Sequence, residues 1–327
     1  MTSPMPDAVV HVIETNGIRM HVAELGSGPL VVFAHGWPDS WLSWRHQMRA
    51  VAGSGYRAVA VEMRGYGETD SPADVGSFDL RHLADDIAGV IEHFGGGPAH
   101  LVGHDWGAMV AAGVAQFHPE RLSSLTLLSV PFAPRTDVPP LEVFAELFGD
   151  AFFYITYHNE PGGVAEAEYD ADPRGLLRRL HASPDAPRAT PEVEDPRRSA
   201  GGWIPRLGEP LATPAWLSDD EFDYLVSRFE IAGFRGGVNY YRNMDRNWEL
   251  TADTTAPVPM PTLFLAGDQD MVVMGRSVDD LRSTMEQTCA DLRDVVLVPG
   301  PGHWVQQEAP EAVNEVLLGF LHGVDDG

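Results

Sequence analysis

The sequence predicts an α/β fold, a mostly parallel sheet flanked by helices, with one helical segment inserted into it. Three observations predict it. Short apolar runs alternate with helical patterns through the first third of the chain. Polar stretches stand where such runs end: His35-Gly36-Trp37-Pro38, Gly103-His104-Asp105-Trp106-Gly107, Gly267-Asp268-Gln269-Asp270 and Gly300-Pro301-Gly302-His303-Trp304. Sheets of this kind place their ligand sites there, beyond the carboxyl ends of the strands. Finally, the rhythm stops after Pro131, gives way to Pro-rich helical sequence, and returns with PTLFLAGDQD.

VVHVIE and IRMHVAEL read as strands around the turn signal Thr15-Asn16-Gly17. PLVVFAH is a continuous apolar run ending at His35, the pattern of a strand buried on both faces. A helix is expected from about Trp41 to Val51, then the strand YRAVAVEM and the turn RGYGETD. LRHLADDIAGVIEHF sets Leu83, Ile87, Val90 and Ile91 on one helical face, and Gly95-Gly96-Gly97-Pro98 stops it. AHLVGHD is a strand, WGAMVAAGVAQFH a helix and SSLTLLSV a strand. From about Pro134 to Leu250 helical patterns and prolines follow without a buried strand; within it, Ala182 to Arg198 reads as a Pro-rich surface loop. DVVLVPGPGHW is a further strand, and EAVNEVLLGFLHG closes the chain as a helix. The core is therefore expected over 1–133 and 251–327, with a helical cap over 134–250 and no internal repeats.

A chain of 327 residues has room for one large domain with such an insert. Its 22 basic residues, all arginine, stand against 48 acidic ones, for a formal charge of −26. That surface repels phosphate backbones, which argues against nucleic acid as a partner, and otherwise serves solubility. A single cysteine, Cys289, excludes an internal disulfide and a multi-thiolate metal site. No His/Asp/Glu set has metal-ligand spacing, so neither metal nor cofactor is expected. The N-terminus lacks a basic segment followed by an apolar one, and no run approaches the ~20 apolar residues of a membrane span. The protein is expected to be soluble and cytoplasmic, with no membrane partner.

The chemistry centres on Gly103–Gly107. Hydrolases that carry a nucleophile at such a strand-to-helix turn commonly use serine; this chain has Asp105. The order Asp105, Asp270, His303 is nucleophile, acid, histidine, the order of the α/β-hydrolase triad. The flanking glycines suit a strained elbow. The N–H of Trp106, with one from the loop at Trp37, would form an oxyanion hole. A serine must lose a proton before it attacks, whereas an aspartate, with an ordinary pKa near ~3.9, is already ionised. It suits an sp³ carbon bearing a leaving group, and it leaves an alkyl ester; attack on a carbonyl would give an unproductive anhydride. His303, oriented by Asp270, would then activate water to hydrolyse that ester at the carboxyl carbon of Asp105.

Candidate electrophiles are an epoxide or an alkyl halide. A halide leaves as an anion, whereas an epoxide oxygen leaves as an alkoxide and needs an acid, which tyrosine can be. The insert offers Tyr154 in FFYITYHNEPGG, and Tyr240 and Tyr241 in NYYRNMDRNW. Plainer readings stand beside these. Asp105 could simply cap the following helix, and Asp268 is a rival acid two residues before Asp270. The tyrosines, like Trp203, Trp216 and Met244, could be packing in the insert, and His35 and His104 supports of the loop and the elbow.

With these residues in view, the sequence resembles the α/β-hydrolase epoxide hydrolases, in particular the bacterial soluble ones, nearly end to end. HGWPDSWLSWRHQM, RGYGETDSP, GHDWGA, SVPF at Ser129 to Phe132, YHNEPGGVAEAE, GFRGGVNYYRNMDRNW, GDQD and PGHWVQQEAPE carry the likeness. GHDWG is shared with haloalkane dehalogenases; YYRNM together with the EPG segment is more specific. The resemblance implies an α/β-hydrolase fold with a helical cap and hydrolysis of an apolar epoxide to a vicinal diol without a cofactor. Detoxification is a role that goes with it, in a monomer or homodimer. It implies Asp105 as nucleophile, Asp270 as acid and His303 as base, with Tyr154 and Tyr241 as donors to the epoxide oxygen. Trp37 and Trp106 match the positions giving the oxyanion N–H groups, and Pro38 is expected to follow a cis peptide bond. Tyr157-His158-Asn159 stands where the family commonly has Tyr-Phe-Gln, and Gly163 is extra; both departures bear on the shape of the pocket. The rivals are a haloalkane dehalogenase, disfavoured by Trp37 where many dehalogenases place an asparagine, and a catalytically silent binding protein, disfavoured by the intact site.

Overall fold

The computed structural model describes residues 3–254 and 256–327. Met1 and Thr2, which begin the N-terminal stretch read above as lacking a targeting signal, and Thr255, in the expected core, lie outside the described residues. Eight strands form one sheet: β1 (Val9–Thr15), β2 (Ile18–Gly26), β3 (Leu30–Ala34), β4 (Arg57–Val61), β5 (Ala99–His104), β6 (Leu122–Leu128), β7 (Val258–Gly267) and β8 (Cys289–Val298). Their order is β1-β2-β4-β3-β5-β6-β7-β8. β1 and β2 pair antiparallel, as do β2 and β4; every other pair is parallel. The β1–β2 hairpin turns on Asn16 and Gly17, both at positive φ (45° and 77°), as a tight two-residue hairpin requires.

Alternation along the strands builds the core on both faces. In β3, Val32 and Ala34 face a layer made with α2 (Leu80–Phe94) and α3 (Trp106–Phe117). Val31 and Phe33 face the opposite layer, made with α1 (Arg45–Gly53) and the C-terminal helix. That two-sided burial is why PLVVF reads as an unbroken apolar run.

Between β6 and β7 the chain leaves the sheet for a run of helices: α4 (Pro140–Phe148), α5 (Tyr154–His158), α6 (Val164–Ala171), α7 (Pro173–Leu180), α8 (Asp219–Ala232), α9 (Arg235–Arg242) and α10 (Met244–Leu250). No strand of the sheet comes from this insert among the described residues. Ala182 to Arg198 carries only isolated bridges, Arg188 to Pro210 and Arg197 to Ala151, apart from the start of a short 3₁₀ turn. The chain then closes with α11 (Val278–Met285), α12 (Val305–Glu308) and α13 (Pro310–Asp325).

Local departures from the sequence reading have local causes. The stretch from Trp41 starts as a 3₁₀ turn, Trp41–Trp44, and becomes α-helical only at Arg45. Ser277 and Asp280 form a reciprocal capping box that starts α11, which apolar periodicity did not reveal. β8 begins at Cys289, before its apolar run, because its first residues pair with β7 despite a half-exposed pattern.

Candidate active site

Asp105 sits between β5 and α3 with φ 52° and ψ −119°, a region that costs an L-residue of order 1–3 kcal/mol unless its surroundings hold it. The two glycines allow that hold. A Cβ on Gly103 would lie 2.2 Å from the Gly107 carbonyl oxygen, and one on Gly107 would lie 2.0 Å from that of Ala34. The elbow therefore packs backbone on backbone.

The Asp105 carboxylate meets two backbone donors. Trp37 N–H donates to Oδ1 at 2.7 Å, and the N–H of Trp106 also faces the carboxylate. His303 Nε2 stands 3.7 Å from Oδ2. Burial pushes the Asp105 pKa up, and His303 with the two N–H groups only partly offsets it. Trp37 is followed by the cis bond to Pro38.

His303 lies in the loop after β8 and turns its other ring nitrogen to the acid: Nδ1 is 3.1 and 3.2 Å from the two oxygens of Asp270. Burial alone would lower the His303 pKa, but Asp270 and Asp105 outweigh it and raise it to about 9. Asp270 itself is buried after β7. Desolvation there works to raise its pKa, yet His303, the Ser129 hydroxyl and the Val272 N–H together hold it below the ordinary carboxylate value. Asp268 does not join this group; its Oδ1 accepts the Gly300 N–H at 2.8 Å, a turn contact.

Ser129 was read only as part of a motif, and the structure gives it a place in the site. It follows β6 directly, at φ 68° and fully buried. Its hydroxyl donates to Asp270 Oδ2 at 2.6 Å. The signal that could have found it is the one used for the other stretches: a polar residue at the carboxyl end of a strand. His104 supports the same corner. Burial lowers its pKa to about 3, and its Nε2 lies 2.8 Å from the His303 carbonyl, to which it donates as a neutral ring. His35 binds locally, through Nδ1 to the Gly36 carbonyl at 2.9 Å and through Nε2 to the Met63 N–H at 3.1 Å.

The insert brings aromatic rings to this centre. Tyr154 opens α5 and Tyr241 lies on α9, their ring centroids 5.8 Å apart. Trp106 and Trp37 pack edge-on to Tyr241, at 5.1 and 5.8 Å. Trp203 stacks on Tyr154 at 4.8 Å and on Trp37 at 5.6 Å. Burial pushes both phenols upward, and the Asp105 carboxylate pushes the same way, so both keep their protons. Tyr240 faces away and donates to the Arg64 carbonyl at 3.0 Å. His158 occupies the wall of this box. It lies 4.5 Å from the Tyr241 ring, with Nε2 3.0 Å from the Tyr169 hydroxyl, and burial lowers its pKa to about 3.

Sheet, elbow and the line from Asp105 through His303 to Asp270 have the geometry of an α/β-hydrolase. Comparison with known proteins agrees. The alpha/beta hydrolase fold family matches residues 29–310. Epoxide hydrolase A of Mycobacterium tuberculosis is 40% identical over 96% of this chain and 97% of its own. Epoxide hydrolase 1 of Siraitia grosvenorii is 38% identical over 94% and 96%. The crystal structure of epoxide hydrolase A from Mycobacterium thermoresistibile superposes with a TM-score of 0.87 at 40% identity, covering 97% of this chain and 98% of that one. The chain belongs to the α/β-hydrolase fold family and, within it, to the epoxide hydrolases. No helix among the described residues is long and apolar enough to cross a membrane.

Proposed function

We propose that this protein opens an apolar epoxide to a vicinal diol through an ester on Asp105, with residues 134–250 acting as the cap that closes over the reaction. The observation that carries the reading is a single carboxylate held between backbone N–H donors and the His303 ring, with the protonated Tyr154 and Tyr241 in the wall above. One Asp105 oxygen attacks an epoxide carbon. The ring C–O bond breaks, and its oxygen leaves as an alkoxide that takes a proton from the tyrosine pair. His303 then removes a proton from water, and that water adds to the Asp105 carboxyl carbon. The oxyanion develops against the Trp37 and Trp106 N–H groups. Collapse releases the diol with one former Asp105 oxygen and returns the carboxylate.

The charges favour this order. In the resting site two carboxylates raise the His303 pKa to about 9, so the ring is a cation. Esterification removes the charge of Asp105. The ring loses one of the two anions holding its proton, gives that proton to the tyrosinate left when the epoxide oxygen is protonated, and stands neutral, able to act as a base, when the ester needs water activated. A haloalkane would use the same carboxylate but would give the tyrosines no alkoxide to protonate.

A single turnover in ¹⁸O-labelled water tests the reading. The expected diol carries no label, and Asp105 gains it. Label in the first diol would mean direct attack by water and would overturn the covalent route.

A further inference from the structure

The aromatic box over Asp105 contains one polar side chain that the reaction does not use. His158 ends α5, one helical turn after Tyr154, so the two side chains share a face of the helix, with ring centroids 5.6 Å apart. Other rings of the box stand around it: Tyr241 at 4.5 Å, Trp37 at 4.9 Å and Trp203 at 5.8 Å between centroids. The imidazole is fully buried, and each of its nitrogens needs a partner where water is excluded. Nε2 has one, the Tyr169 hydroxyl at 3.0 Å. Nδ1 has none among the described residues. The buried His181 turns its own Nδ1 to the Leu177 carbonyl, one helical turn back, at 3.1 Å; His158 makes no such bond.

Tyr169 decides which nitrogen carries the proton. Its phenol is also fully buried, stays protonated because burial pushes its pKa up, and meets no other hydrogen-bond partner among the described residues. Were Nε2–H the donor, the phenol proton and the Nδ1 lone pair would both be stranded. With the phenol donating to Nε2, the neutral ring holds its one proton on Nδ1, and only that N–H is left unpaired. Its surroundings are aromatic, and a π face is a weaker acceptor than an oxygen. A phenylalanine at this position would leave nothing unpaired.

Resting on the epoxide-hydrolase reading, we infer that His158 determines specificity: its Nδ1–H donates to a neutral oxygen of the substrate beside the epoxide, while Tyr154 and Tyr241 take the epoxide oxygen itself. Among otherwise apolar epoxides, the preferred ones carry an ether or carbonyl oxygen next to the ring, glycidyl ethers being the simplest. A hydrogen bond from a buried donor that otherwise lacks an acceptor contributes about tenfold in kcat/KM over an isostere without the oxygen. That oxygen takes no part in the bonds made and broken. The contact is therefore as strong before the reaction as in its transition state, and the gain lies in binding rather than in the rate at saturation.

The test compares phenyl glycidyl ether with its all-carbon isostere, in which a methylene replaces the ether oxygen, in the wild type and in His158→Phe. The oxygen also activates the epoxide, but equally in both proteins, so the ether-over-carbon ratio of kcat/KM in the wild type divided by that in the variant isolates the contact. That quotient should be about ten. Single-turnover alkylation should place it in the half-saturating concentration, with the saturated rates within about twofold. Tyr169→Phe keeps the ring but removes the hydroxyl that fixes its proton, so its ether-over-carbon ratio should also fall, by at least about twofold, and it reads the contact even if His158→Phe fails to fold. A merely structural role would move both substrates alike. A quotient near one in either variant, or a gain that appears only in the saturated rate, overturns the inference and leaves the hydrolase reading standing. Failure of the wild type on every epoxide, these two included, overturns both.

Discussion

Replacing Ser129 with alanine removes the shortest hydrogen bond to Asp270, 2.6 Å from hydroxyl to Oδ2, and leaves the Val272 N–H at 3.0 Å and His303. A hydrogen bond to a buried carboxylate contributes about 1.5–3 kcal/mol. Its loss raises the Asp270 pKa and loosens the grip on His303. If half of the lost energy reaches the transition state of ester hydrolysis, that step slows by about three- to twelve-fold. Alkylation of Asp105 does not use His303 as a base, so it should slow by less than twofold. The alkyl-enzyme therefore accumulates in the steady state. Rapid-quench mass spectrometry of the intact protein measures both steps. Ser129→Gly provides the control, because glycine adopts φ 68° without strain and lacks the hydroxyl just the same. Both variants should show the same split between the two steps. Equal slowing of both steps, or no accumulation in either variant, would refute a positioning role for Ser129.

Tyr154→Phe and Tyr241→Phe should each slow alkylation by about 10²-fold, with hydrolysis of the formed ester little changed; single-turnover rates that fall in the second step instead would reassign them. In Asp105→Asn one of the anions that raise His303 is gone, so the imidazole should titrate below the value of about 9 set in the intact site. The sign follows from His303 being a cation below its pKa: the variant ring turns neutral at lower pH than the wild type, and an unchanged NMR midpoint would contradict the coupling. Gly107→Ala sets a Cβ 2.0 Å from the Ala34 oxygen and should cost at least about 2 kcal/mol in denaturant unfolding; a silent substitution would mean the elbow is looser than described.

The sheet was legible because parallel strands buried on both faces write themselves as apolar runs, and their carboxyl ends as polar punctuation. Asp105, Asp270 and His303 all lie at such ends, which is why three distant stretches could be read as one centre. Ser129 lies at another, but as a lone hydroxyl between LTLL and the apolar VPF its place at a strand end is a weaker mark than the multi-residue polar stretches carry. Tyr154 and Tyr241 needed the family resemblance, since their meeting depends on how α5 and α9 fold back over the elbow. α11 was missed because its start is a capping box without a strong apolar face. The stretch Ala182 to Arg198 carries turn residues and no periodicity, and it folds without helix or sheet strand apart from the start of a 3₁₀ turn. His158 could be flagged as a departure, but only packing shows that it lies against Tyr241.

The central claim is the ester on Asp105. The most direct measurement is the intact mass of a His303→Gln variant after exposure to aryl and alkyl epoxides and, separately, to haloalkanes. Without its base the protein should stop after the first step. The account predicts a gain equal to one whole epoxide, mapped to Asp105 and absent when Asp105→Asn is added. A gain equal to a haloalkane less hydrogen halide, with none from any epoxide, or no adduct from an epoxide that the wild type turns over, would contradict it.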